Sequence, residues 1–124
     1  MQWLLIALGG AFGSMTRFAA VVYITPLFNM KFPFGTFLVN IVGSFLIGVA
    51  YVVLIEKSDV SPLYRMFFIT GFLGGFTTFS SFSLEMLQLW QEGYVLNSIL
   101  YAISSVILGL LMAFAGMALT QKLI

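Results

Sequence analysis

The sequence has no cysteine, no histidine and only three prolines, and charged side chains fill 7% of its 124 positions. Each shortage closes a class of chemistry. Without cysteine there are no disulfides and no thiolates, and without either residue the usual ligands of zinc and haem are missing. General acid–base catalysis needs paired titratable groups at short spacing, and four acidic residues with no histidine supply no such pair. No enzymatic activity is therefore expected. A formal net charge of +1 gives neither a basic patch for nucleic acid nor long-range steering of a charged partner. The N-terminus lacks the basic residues that open a signal peptide, so no cleavage is expected and Met1 should remain on the mature chain.

Apolar side chains are what the sequence has in abundance: 61% of residues are hydrophobic and the mean hydropathy is +1.11. That leaves too little polar surface for a soluble domain. Uncharged stretches over 32–55, 66–84 and 93–121 each come near or exceed the roughly 20 residues that cross a ~30 Å hydrocarbon core. Residues 3–24 make a fourth, interrupted by Arg17. The expected fold is an all-α integral membrane protein, one domain over 1–124. Its helices are expected near Trp3–Ile24, Phe34–Ile55, Met66–Trp90 and Tyr94–Leu119, with Pro26, Pro33 and Pro62 in the loops. Four spans put Lys57, Arg65 and Lys122 on one side and Lys31 on the other, joined by Arg17 if it lies near its helix end. So small a bias leaves the positive-inside rule undecided, and the chain should insert both ways up.

One run departs from ordinary membrane helix. Gly71-Phe-Leu-Gly-Gly-Phe-Thr-Thr-Phe-Ser-Ser-Phe82 places a glycine pair and four hydroxyls inside a span. Glycine is costly in a helix interior and hydroxyls compete for backbone hydrogen bonds, so the third helix is expected to break at Gly74-Gly75. Unwound backbone at membrane depth must line a cavity or an ion site, because lipid satisfies no N–H or C=O.

The remaining polar residues fall on stripes of period four. Gly9, Gly13 and Arg17 share one face of the first helix, with Gly10 beside it; close helix packing explains the glycines, whereas the arginine needs a partner, water or the interface. The second helix carries Thr36, Asn40, Ser44 and Gly48, and the fourth carries Asn97, Tyr101, Ser105, Gly109 and Ala113 with Ser104 adjacent. Interhelical hydrogen bonding is the plain account of Asn40. Beyond the break, Ser81, Glu85 and Gln88 form a polar face next to Phe79 and Phe82.

These groups are mostly donors, and Glu85 is the only acid deep enough to matter. Ring edges carry the positive part of the aromatic quadrupole, so amide, hydroxyls and edge-on rings together suit a small anion. The carbonyls freed at the break, Gly74 and Thr77, suit a hard cation such as Na⁺, more so if a second copy adds equivalent oxygens. Four helices cannot surround a pore and still bury these stripes, so an oligomer is expected. An antiparallel dimer reproduces the inverted repeats of many transporters.

Gly9-Gly-Ala-Phe-Gly-Ser-Met-Thr-Arg17, Gly35-Thr-Phe-Leu-Val-Asn40-Ile-Val-Gly-Ser44 and the Gly71–Phe82 run closely resemble the three signature segments of the Fluc (CrcB) fluoride channels. The likeness covers all four helices. It implies a dual-topology homodimer in the cytoplasmic membrane of a prokaryote, passing fluoride out through two antiparallel pores around a central Na⁺. By the same resemblance Phe79 and Phe82 line the pores, Asn40 is the pore amide, and Tyr101 and Ser105 donate toward the ion. Thr36, Ser81 and Glu85 form a polar track, Arg17 stands at the aqueous vestibule, and Gly74 and Thr77 give carbonyls to Na⁺. Ser80-Ser81 stands where many relatives have Ser-Thr, and Phe18 where tyrosine is frequent; neither removes a needed group. Two rivals share parts of the pattern. A small proton-coupled multidrug-type cation exporter would have to use Glu85, since the first two helices hold no acid. An accessory subunit would use the stripes only for packing, and would leave the Gly-Gly run beside four hydroxyls unexplained.

Overall fold

The computed structural model describes residues 1–57 and 59–124, and its regular structure is helical throughout. Helix α1 (Gln2–Ile24) runs into a 3₁₀ turn at Thr25–Leu27, and α2 (Phe34–Tyr51) ends in a π turn at Val52–Glu56. The third span starts with the short α3 (Pro62–Arg65), widens to a π-helical segment (Met66–Leu73) and closes with α4 (Gly74–Phe76). Helix α5 (Ser80–Gln91) completes it, and α6 (Val95–Leu123) is the fourth span. All four stretches, Gln2–Leu27, Phe34–Glu56, Pro62–Gln91 and Val95–Leu123, are long and apolar enough to cross a membrane.

The boundaries move from expectation where local chemistry allows it. Pro62 opens the third span instead of lying in the loop before it, because proline fits the first helical turn and the Ser61 hydroxyl caps Leu63 N–H at 3.3 Å. At the end of α5, Gly93 has φ 89°, and Tyr94 N–H reaches Leu89 C=O at 2.8 Å while Gly93 N–H reaches Trp90 C=O at 3.1 Å. This Schellman turn reverses the chain within two residues and lays α6 back along α5.

Small residues set the two closest pairings, α1 with the third span and α2 with α6. A Cβ on Gly9 would lie 2.9 Å from Phe72 N and press on Phe67 C=O, and one on Gly13 would lie 2.9 Å from Phe76 N and press on Phe72 C=O. Gly48 meets the Ala113 carbonyl and Gly116 the Phe45 carbonyl in the same way. Backbone-to-backbone approach of this kind is what small-xxx-small stripes permit. On α1 the two glycines are four residues apart, whereas the carbonyls they face, Phe67 and Phe72, are five apart. The π segment, with its i→i+5 bonds, brings residues five apart onto one face and so matches a four-residue stripe to a five-residue one.

The expected break is displaced. Gly74 is helical (φ −62°, ψ −36°) and α4 continues to Phe76; helical geometry lapses at Thr77, which is extended (φ −88°, ψ 159°), and resumes at Ser80. The glycine pair serves proximity instead, since a Cβ on Gly75 would lie 2.6 Å from Gly10 C=O. Two small cores flank the bend: Val39, Leu73 and Phe76 on one side, and Phe82, Leu89 and Tyr101 on the other. Most other large apolar side chains, including Phe12, Phe18, Ile103, Leu110 and Phe114, face outward, which suits a lipid surround.

Candidate ion pathway

A continuous helix would send Thr78 N–H to Gly74 C=O and Ser81 N–H to Thr77 C=O. Neither bond forms. Thr78 N–H donates to Asn40 Oδ1 at 2.9 Å, and Asn40 Nδ2 donates back to Thr78 C=O at 3.0 Å. Ser81 N–H donates to the Thr78 hydroxyl at 3.1 Å, which caps α5. Asn40 thus replaces the missing helical partners of one residue with a two-point amide pairing, and the Gly74 and Thr77 carbonyls are left without their helical donors. Arg17 Nη1 reaches the Thr77 carbonyl at 3.4 Å. The arginine therefore stands beside the bend, half-buried, and not at the loop end where Lys31 and Glu92 pair at 3.9 Å.

Toward that loop end the polar stripe is knitted together. Glu85 accepts from the Thr36 hydroxyl at 2.9 Å and from the Tyr101 hydroxyl at 3.2 Å, so both carboxylate oxygens have donors. Thr36 and Tyr101 are 2% and 0% exposed. Tyr101 meets Phe82 edge-on, with centroids 4.9 Å apart at 71°, and Phe82 lies 5.8 Å from Phe79. Phe82 is 8% exposed while Phe79 is 79% exposed. Ser81, one turn before Glu85, is half-buried.

Two of the cavities that border this line of groups lie at its ends. An open cleft of about 600 Å³ is lined by Asn40, Gly74, Thr77, Phe79, Phe82 and Ser105 among others, and a smaller one of about 230 Å³ by Lys31, Phe32, Glu85, Gln88 and Glu92. The chain of contacts from Glu85 through Tyr101 to Phe82 joins them. Ser105 Oγ is buried on the cleft and has no hydrogen-bond partner among the described residues. By contrast, Thr77 and Ser44 hydroxyls bond back to Leu73 and Asn40 carbonyls at 2.9 and 2.7 Å, and Ser104 to Leu100 at 2.6 Å. No cluster of three acidic, histidine or cysteine side chains occurs among the described residues, so a cation here would rest on carbonyl oxygen.

The structure brings together Asn40, Phe79, Phe82 and Ser105 at one cleft, and Thr36, Glu85 and Tyr101 in one hydrogen-bonded group. Period-four spacing missed the loop residue Phe32, whose ring packs on Tyr101, and missed that Asn97 faces the same loop, donating to Lys31 C=O at 2.8 Å. The aromatic-Pro-aromatic triplet Phe32-Pro33-Phe34 is the signal that marked it.

The sequence profile of the family described as CrcB-like protein, Camphor Resistance (CrcB) matches residues 4–117. The chain is 44% identical to a fluoride-specific ion channel FluC of Saccharophagus degradans, over 98% of this chain and 91% of that protein. It is 41% identical to the protein of the same name in Acidobacterium capsulatum, over 100% and 99%. Another so named, from Aquifex aeolicus, is 42% identical over 95% of both chains. Alignment of that length and identity takes in every span and both cavities, and the chain belongs to the CrcB family.

Proposed function

We propose that this multi-pass membrane protein is a fluoride-selective channel that lets F⁻ leave the cytoplasm passively. Near-full-length relatives carry that name, and the observation on this chain that carries the reading is the buried Ser105 hydroxyl, without a hydrogen-bond partner among the described residues. It faces a cleft shared with Asn40, whose amide keeps one N–H beyond its bond to Thr78, and with the rings of Phe79 and Phe82. A small, strongly hydrated anion gives up water only for short, directed donors, and Ser105, the second Asn40 N–H and the two ring edges are such donors, while the Tyr101 hydroxyl donates to Glu85 and ties the cleft to the polar track. Thr36, Ser81 and Glu85 continue the path as a polar track toward the loop end. Arg17, the cation nearest the bend, raises the potential along the cleft at the bend. A negative cell interior drives F⁻ outward by ~2.3 kcal/mol per 100 mV.

The working unit in this reading is an antiparallel homodimer in the cytoplasmic membrane with two pores. The protomer leaves the cleft open and Phe79 bare, and the basic residues barely bias orientation. The Gly74 carbonyl, freed from its helical donor, and the Thr77 carbonyl, which has a second lone pair beside its long bond from Arg17, would hold a structural Na⁺, and equivalent oxygens from a second copy would complete its shell. Such an ion supplies positive charge that offsets the cost of an anion in low dielectric. The cation-exporter alternative draws no support, since Glu85 has a hydroxyl donor on each oxygen.

The test is ion efflux from liposomes under a K⁺ diffusion potential. Fast fluoride efflux with no chloride efflux, slowed in Phe79→Ile and Asn40→Asp, is expected. Well-folded protein that passes neither ion would overturn the reading. Single-cysteine labels near Lys57, read from each side, should both react; one-sided labelling would rule out dual topology.

A further inference from the structure

We propose that Phe32, on the loop between the first and second spans, is a positioning residue for Tyr101: it fixes the direction of the Tyr101 hydroxyl at the loop end of the pathway. The inference rests on the channel reading.

The Tyr101 ring is fully buried between two rings that both meet it edge-on at 71°, Phe82 at 4.9 Å and Phe32 at 5.2 Å, with Phe37 at 6.4 Å as a third wall. A ring held on these sides has one direction left for its hydroxyl, and that direction ends on Glu85 Oε1 at 3.2 Å. Phe82 and Phe37 ride on helices. Phe32 is the member supplied by a loop, and it also walls the smaller cavity that Glu85 lines.

A loop residue can set another side chain only if the loop is itself fixed, and this one is. Two successive tight turns pin it, Phe32 N–H to Met30 C=O and Phe34 N–H to Phe32 C=O, each 2.9 Å. Phe28 stacks on Phe34 at 4.1 Å, Thr25 Oγ1 accepts from Gly35 N–H at 3.0 Å, and Asn97 Nδ2 clamps Lys31 C=O at 2.8 Å. The Lys31–Glu92 pair is exposed on both sides and screened, so it is not the clamp. The conspicuous Asn97 of the fourth-helix stripe thereby has its work: it holds the loop that holds the tyrosine.

The experiment measures fluoride efflux from liposomes for Phe32→Ala, Phe32→Leu, Phe32→Trp and Asn97→Ala, each made in the parent chain and in Tyr101→Phe, with melting temperature recorded for all. In the parent chain Phe32→Leu should slow efflux about three- to tenfold, the scale of one misdirected hydrogen bond. Phe32→Trp, which keeps an edge against Tyr101, should retain most of the rate, and Asn97→Ala should slow it by a smaller factor. In the Tyr101→Phe background, where there is no hydroxyl to direct, none of these changes should slow efflux further. Equal fold-losses in both backgrounds would overturn the proposal and leave Phe32 as a wall; so would an unchanged rate in Phe32→Leu, which carries the test if Phe32→Ala does not fold. A parent chain with no fluoride efflux at all would instead sink the channel reading beneath it.

Discussion

Asn40 shows what one side chain must do when a helix is interrupted in lipid. Its amide takes both the N–H and the C=O of Thr78, 38 residues away, and so stands in for two backbone partners at once. Asn40→Ala leaves both groups unpaired in a low-dielectric setting, at about 1–3 kcal/mol each. The expected outcome is a clear fall in melting temperature in detergent, larger than for Ser44→Ala, whose hydroxyl only bonds back along its own helix. Equal melting of the two variants would show that the amide pairing does not hold the bend. Period-four spacing made Asn40 conspicuous in the sequence, because polar residues on a membrane helix are few. Its partner was not legible, since a backbone group leaves no mark on residue type.

Among the elements, the third span carries the lesson. Glycine propensity placed the break at Gly74-Gly75, and the chain unwinds at Thr77 instead. The glycines answer to a neighbouring helix, Gly75 to Gly10 and Gly71 to Gly9, and contacts between spans outweigh local propensity. The π segment was equally hidden, because a face with period five looks like no face when counted at 3.6. Its fit to α1 makes a sharp prediction. Gly13→Ala pushes a methyl onto the Phe72 carbonyl and Phe76 N–H, backbone that cannot step aside, and should cost about 1–3 kcal/mol. Gly10→Ala, whose nearest neighbour would be Gly71 C=O at 3.8 Å, should be tolerated. Thermal melts of the pair check it, and similar values would argue that the stripe does not set the packing.

For the whole molecule, four spans and their order were legible because hydropathy writes them directly and short loops leave little choice. Assembly has a test in Gly74. A Cβ there would find only Ile69 C=O at 3.8 Å, so nothing within the protomer asks for glycine, although the residue lines the open cleft. If the proposed dimer packs on this cleft, Gly74→Ala should leave the protomer folded, by circular dichroism, while weakening that dimer in cross-linking or photobleaching counts. An undiminished dimer would place the contact elsewhere. The bend and its clamp also bear on how the chain is made. Hydroxyls such as Thr16, Ser83 and Thr120 bond to their own helices at 2.7, 3.0 and 2.7 Å and enter lipid already satisfied. Arg17 and Asn40 do not; both are synthesised in the first two spans, and the backbone groups they bond belong to Thr77 and Thr78. The first hairpin is therefore made before the backbone groups that Arg17 and Asn40 bond, and these two side chains gain those partners only once the third span is in place.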